Sequence, residues 1–132
     1  MCGFSKIVIV DNLSNSNTVA MERVRTICGR GADDCLVFEE VDICEEAALN
    51  EVFVRHSPIG SVIHFAGLKA VGESVREPIK YYENNVGGSV SLVKCMLKHN
   101  CKNIVFSSSA TLYGDQDSCS EEKPIQPVNP YG

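Results

Sequence analysis

Three stretches of the chain carry side chains that can do chemistry. Phe106 to Gly114 reads FSSSATLYG. Three serines at the end of an apolar run supply hydroxyls that can hydrogen-bond a reacting oxygen. A turn or capping cluster accounts for the same residues equally well. Asp11 to Ser16 reads DNLSNS, and Asn12, Asn15 and Ser16 can reach the hydroxyls or phosphates of a ligand. Taken alone, that run is better explained as a polar turn, because Asn and Ser are common turn residues. Ser61 to Glu73 reads SVIHFAGLKAVGE. Here a short apolar run breaks at Ala66-Gly67 and reopens as a polar loop with Lys69, Gly72 and Glu73. Small residues after Phe65 allow close backbone approach to a ligand, and Lys69 offers a cation beside phosphates.

Other chemistries are disfavoured. Seven cysteines stand at 2, 28, 35, 44, 95, 101 and 119, an odd count with no C-x-x-C spacing. Neither a zinc site nor a disulfide framework is expected, and reduced thiols in the cytoplasm are. His56, His64 and His99 are not at metal spacing, so no metal is expected. His64, inside an apolar run, reads as a satisfied core residue. The net charge of −5 argues against nucleic acid or an anionic membrane as partner. No apolar run approaches the roughly 20 residues of a membrane span. The start, MCGFSKIVIVD, has too short an apolar stretch for a signal peptide. The sequon Asn12-Leu13-Ser14 is therefore read as chance.

The elements that must position these stretches follow from periodicity. Lys6 to Val10 is a β-branched run, read as a strand buried on both faces. A helix is expected from Thr18 to Cys28, with Ala20, Val24 and Ile27 on one face, stopped by Gly29-Arg30-Gly31. Cys35 to Val41 reads as a second strand. Glu45 to His56 reads as a second helix, burying Ala48, Leu49, Val52 and Phe53, and ended by Ser57-Pro58. Ser61 to Phe65 is a third, buried strand. A long helical stretch runs from Pro78 to His99, with Val86, Val90, Val93 and Leu97 recurring at helical spacing and Gly87-Gly88 weakening its middle. Asn103 to Ser107 is a fourth strand, and from Asp115 onward the chain reads as loop. Strands alternating with helices mean βαβ units, hence an α/β fold with a Rossmann-like, doubly wound parallel sheet. Such sheets bind ligands at the carboxyl ends of their strands.

The motifs carry a family resemblance. FAGLKAVGESV resembles the loop after the fourth strand of the UDP-glucose 4-epimerases, NAD-dependent members of the extended short-chain dehydrogenase/reductase family. FSSSATLYG resembles their SSSATVYG motif, with Leu112 in place of the usual Val. The resemblance covers Lys6 to Gly132. It implies NAD contacts from Asp11, Asn12, Leu13, Ser14, Asn15 and Ser16, from Asp42 and Ile43 at the adenine, and from Phe65, Ala66, Gly67, Leu68, Lys69, Asn84 and Tyr131. Asp11 looks like the acidic residue that takes the adenosine ribose hydroxyls and favours NAD over NADP. Asp42 also stands three before Glu45, the spacing of a capping box. Ser109 matches the catalytic serine, and Tyr131 in Asn129-Pro130-Tyr131-Gly132 matches the catalytic tyrosine; both would touch the UDP-sugar.

The resemblance also marks what these residues do not include. The glycine motif G-x-G-x-x-G should stand roughly 20 residues before Asp11, and only ten residues precede it. Gly29-Arg30-Gly31, with Asp34 at the third glycine position, follows a helix and reads as a stop. The family's Y-x-x-x-K lysine lowers the pKa of the tyrosine; after Tyr131 it would fall past Gly132. The expectation is a partial NAD-binding domain, truncated at both ends, lacking its central first strand and the sugar-binding domain, and inactive by itself. The Lys6–Val10 strand should then lack a partner toward Ser61–Phe65. The implied activity of the complete protein is the interconversion of UDP-galactose and UDP-glucose through a 4-keto sugar, as a homodimer. The alternatives are another nucleotide-sugar epimerase or dehydratase, the latter disfavoured by Ala110-Thr111 where an acidic pair is expected, or a non-catalytic interaction module.

Overall fold

The computed structural model describes residues 6–29, 31, 35–115 and 119–132. The expectations for Cys2, Arg30 and Asp34 lie outside the described residues. Strand β1 (Ile7–Asp11) leads through helix α1 (Val19–Cys28) to β2 (Leu36–Glu40). Helix α2 (Glu46–Arg55) leads to β3 (Ser61–His64). Three helical pieces follow: α3 (Val71–Arg76), α4 (Pro78–Tyr81) and, after a π turn at Tyr82–Gly87, α5 (Gly88–Lys98). Strand β4 (Asn103–Phe106) and a 3-10 turn (Ala110–Tyr113) close the order.

The α/β alternation expected from periodicity is present, and every strand pair is parallel. Strand β1 pairs with β2 from Ile7↔Leu36 to Asp11↔Glu40. Strand β3 pairs with β4 from Ser61↔Asn103 to His64↔Phe106. Among the described residues these are two separate two-stranded sheets. The gap expected beside the Lys6–Val10 strand is therefore seen, and β1 and β3 do not close on each other. One core nonetheless serves both sheets. Ile43, Leu49, Phe53, Leu92, Cys95, Met96 and Cys101 form it, with Val10, Val41, Ile59 and Val62 packed against it. Helices α2 and α5 thus cover one face of both sheets.

The burial expectations fail where that cover stops. Ile7, Ile63 and Phe65 are exposed, so neither β1 nor β3 is buried on both faces. In α1 only Met21 is buried, while Ala20, Val24 and Ile27 are exposed. In α2, Leu49, Val52 and Phe53 are buried as expected, but Ala48 is exposed.

The long helix is continuous, but its faces are reversed. Val86, Val90, Val93 and Leu97 are exposed. The buried side is Gly88, Ser91, Leu92, Cys95 and Met96. Periodicity cannot choose between two apolar faces of one helix. Gly88 favours the observed face: a Cβ there would stand 2.7 Å from Ile43 Cδ1, so a larger residue would force the Ile43 side chain to shift. Val71–Arg76, expected as loop, is helical. The Asp42–Glu45 capping box is not formed. Helix α2 begins one residue after Glu45, so Asp42 stands outside it.

Candidate functional site

All four strands end at the same edge, and the loops leaving them line two adjoining hollows. The first, of about 70 Å³, is lined by Asp11, Asn12, Ser14 and Asn15 after β1, Asp42 and Ile43 after β2, Ala66, Gly67 and Leu68 after β3, and Asn84 of the π turn. The second, of about 340 Å³, is lined by Phe65, Ala66, Gly67 and Lys69, by Ser107 to Ser109 after β4, and by Tyr131. Ala66 and Gly67 line both, so the two form one trough across the strand ends. Of the residues that the resemblance assigns to NAD or the sugar, only Leu13 and Ser16 line neither.

Those two residues shape the loop that does. Asp11 Oδ1 accepts the Leu13 backbone N–H at 2.7 Å and the Ser16 hydroxyl at 2.8 Å. The first bond steadies Leu13 in the left-handed region, at φ 55°. Asp11 Oδ2 makes no hydrogen bond among the described residues and remains an acceptor. Asn12 Nδ2 donates to Asp42 Oδ2 at 2.8 Å, tying the β1 loop to the β2 loop. Asp42 Oδ1 accepts the Cys44 backbone N–H at 2.8 Å. That bond, helped by Asn12, holds the Asp42 carboxyl below the usual carboxylate range. Ile43, beside it, belongs to the core and also lines the hollow, so its two readings coexist.

The β3 loop is held from outside. Asn85 Oδ1 accepts the Leu68 N–H at 2.8 Å and Asn85 Nδ2 donates to the Leu68 carbonyl at 2.9 Å. Ala70 N–H donates to the Tyr81 hydroxyl at 3.0 Å. Asn85 and Tyr81 were not singled out from sequence. The only signal was the position of Asn85 in YYENN beside Asn84.

His64 is buried beneath the second hollow, as its apolar run predicts. Its Nε2 lies 2.9 Å from Ser89 Oγ, whose own proton goes to the Asn85 carbonyl. The imidazole must therefore donate Nε2–H. Burial pushes its pKa below the ordinary histidine value. Ser109 caps the 3-10 turn, accepting the Thr111 N–H at 3.2 Å, with Thr111 Oγ1 at 2.8 Å. The capping reading thus holds for the local bonds, and the same serine still lines the hollow. Tyr131 is placed by Asn129, whose Oδ1 accepts the Tyr131 N–H at 3.1 Å. Gly114 makes the turn that brings this tail back: its φ is 68°, and a Cβ there would collide with the Gln126 carbonyl. Among the described residues no cluster of His, Cys, Asp or Glu suits a metal, and no helix is long and apolar enough to cross a membrane.

Comparison with known proteins gives the chain a family. The family model described as GDP-mannose 4,6 dehydratase matches residues 2–132. A UDP-glucose 4-epimerase of Dictyostelium discoideum is 52% identical over 127 residues, which is 95% of this chain and 36% of that protein. UDP-glucose 4-epimerase 2 of Oryza sativa subsp. japonica is 48% identical over 134 residues, 100% of this chain and 32% of that protein. The crystal structure of the Bifidobacterium longum UDP-glucose 4-epimerase in complex with NAD+ and UDP is 46% identical, with a TM-score of 0.85 over 96% of this chain and 37% of that one. The chain thus spans about a third of the length of the curated relatives it matches. With its whole described length inside one family model, the chain belongs to the GDP-mannose 4,6 dehydratase family, and within it resembles the UDP-glucose 4-epimerases.

Proposed function

We propose that the chain forms part of the NAD-binding domain of an enzyme that interconverts UDP-galactose and UDP-glucose, an isomerase of galactose metabolism. One observation carries the reading: Ser109 and Tyr131 line the same hollow as Lys69 and Phe65–Gly67. A candidate base and its hydrogen-bonding partner therefore face the loop proposed to hold the cofactor.

The residues fit the adenosine half of NAD. Asp11 Oδ2 is an uncommitted acceptor at the end of β1, suited to a ribose hydroxyl, and its charge beside that of Asp42 disfavours a 2′-phosphate. Asn12, Leu13, Ser14, Asn15 and Ser16 form the wall beside it, Ile43 offers an apolar face to the adenine, and Asn84 closes the floor. Phe65, Ala66, Gly67 and Leu68 bring backbone close, and Lys69 offers a charge to the phosphates. When bound, the nicotinamide supplies a reversible hydride acceptor. Tyr131 takes the proton from the C4 hydroxyl of the hexose and returns it, and Ser109 hydrogen-bonds the same oxygen. Base catalysis by a phenol with an ordinary pKa near 10 requires a neighbouring cation.

The sugar-binding domain and the homodimer belong to the complete protein, and the exposed Val90, Val93 and Leu97 would suit a subunit contact. Cys28, Cys44, Cys95, Cys101 and Cys119 are free thiols, which suits the cytoplasm. Spanning about a third of the length of its relatives, the chain by itself is expected to show no epimerase activity. The test is a chimera in which residues 6–132 replace the matching segment of the Bifidobacterium longum enzyme. It should interconvert the two UDP-sugars, and Tyr131→Phe should lower kcat by about 10²–10⁴-fold. A folded, NAD-loaded chimera that is inactive, or one indifferent to Tyr131→Phe, overturns the reading.

A further inference from the structure

The loop carrying Lys69 is held by two side chains of the neighbouring helix, in a pattern that imitates a strand. Asn85 makes both bonds to Leu68, at 2.8 Å to its N–H and 2.9 Å to its carbonyl. One residue of a neighbouring strand makes this pair of bonds in an antiparallel ladder. Asn84 Nδ2 donates to Asn85 Oδ1 at 2.9 Å, which sets the orientation of the amide. Two residues on, the Tyr81 hydroxyl accepts the Ala70 N–H at 3.0 Å. Its single proton is divided between the Ala70 carbonyl at 2.9 Å and Glu73 Oε2 at 2.8 Å. Lys80 Nζ holds the other oxygen of Glu73 at 2.7 Å. The Tyr81 ring is 1% exposed, so its hydroxyl has one place to go.

Lys69 lies between the two bound residues. Ala70 is extended, with φ −82° and ψ 104°. Backbone groups on both sides of Lys69 are thus tied to the helix, and Lys69 lines the hollow with Ser109 and Tyr131. We propose that Tyr81 and Asn85 are positioning residues that brace Leu68–Ala70 like an added strand and so direct the Lys69 ammonium toward a dinucleotide phosphate in the trough. The ligand in this inference rests on the function proposed above; the brace does not.

Both parts are tested on the 132-residue chain. The first readout is amide hydrogen exchange by NMR, without ligand. Tyr81→Phe should speed exchange at Ala70 by about tenfold and leave Leu68 unchanged, while Asn85→Leu should speed Leu68. Unchanged exchange at both amides overturns the brace. The second readout is NADH affinity by calorimetry. Tyr81→Phe should weaken binding about 2- to 10-fold, the range of one hydrogen bond, and add nothing in a Lys69→Met background. Additive losses in the double variant overturn the proposal, because a general structural defect would not depend on Lys69. Should the unaltered chain bind no NADH while the amides respond as expected, the functional reading fails for this chain and the brace stands.

Discussion

The two loops that meet in the trough are held by opposite means. The loop after β1 holds itself: Asp11 bonds Leu13 and Ser16, and Asn12 bonds Ser14, all within five residues. The loop after β3 makes no such bonds to itself. It is held by Tyr81 and Asn85, 11 and 17 residues further along the chain. The turn of the first loop is set by its own sequence, and the Asn12–Asp42 bond then ties it to the β2 loop. A braced loop needs the helix to arrive first, and at the right depth. Gly88 sets that depth, because the helix end settles where a side chain would strike Ile43.

That contact is the first place to break the comparison. Gly88→Val would drive a branched side chain into Ile43 Cδ1, 2.7 Å from the Cβ position, and toward Cys44 Sγ at 3.2 Å. Overpacking of this kind costs about 1–3 kcal/mol. The denaturant midpoint should fall accordingly, and the Leu68 and Ala70 amides should lose protection while the Asp11 loop keeps its bonds. Ile43→Ala in the same chain should recover part of the loss by making room. An unchanged midpoint would mean that the helix can slide, and that its depth is not what holds the second loop.

Acid separates the two halves by a smaller margin. Burial keeps His64 neutral, its pKa lowered in the folded state, and the unfolded chain takes up the proton first, near pH 6.5. Stability from this group is therefore full at neutral pH and falls as the pH drops below about 6.5. In the β1–β2 half, Glu39 is bonded by Arg55 Nη2 at 2.8 Å and His56 Nε2 at 2.6 Å. These partners lower its pKa below 4.5, so its contribution is present above that value and is lost only as the pH falls through the lowered one. The β3–β4 half should thus loosen first on acidification. Denaturant midpoints of the unaltered chain should decline between pH 7 and pH 5.5, and those of His64→Gln should not. Parallel curves would remove His64 as the cause.

The same contrast explains what could be read from the sequence. The strands, the alternation with helices and the residues around the trough were legible because period and motif are local. Asp11 and its turn were legible for the same reason. The helix faces were not: Val86 to Leu97 and Gly88 to Met96 are both apolar rows, and only the approach to Ile43 decides between them. Helix α3 was hidden by Gly72 and by a first turn without a capping side chain. Tyr81 and Asn85 were missed because their role lies in bonds to a backbone far along the chain, where residue type says little. Burial of β1 and β3 was overread because a β-branched run reports a strand, and not how many layers cover it.

Cys44 stands where the self-held half meets the helix, so its reactivity reads the closeness of that joint. Its Sγ lies 3.7 Å from the Glu83 carbonyl and 3.9 Å from that of Asn84. Desolvation first, and then the Asp42 carboxylate, push the thiol pKa up to about 11. At pH 8 an ordinary cysteine, with pKa about 8.5, has roughly 200 times more thiolate. A more basic thiolate is also a better nucleophile, which returns roughly tenfold. Alkylation of Cys44 by iodoacetamide should therefore run roughly 20-fold slower in the folded chain than in denaturant. Asp42→Asn should narrow that ratio by removing the charge, without moving the helix. Equal rates folded and unfolded would show the joint open, and then the braced loop and the self-held loop would not be parts of one wall.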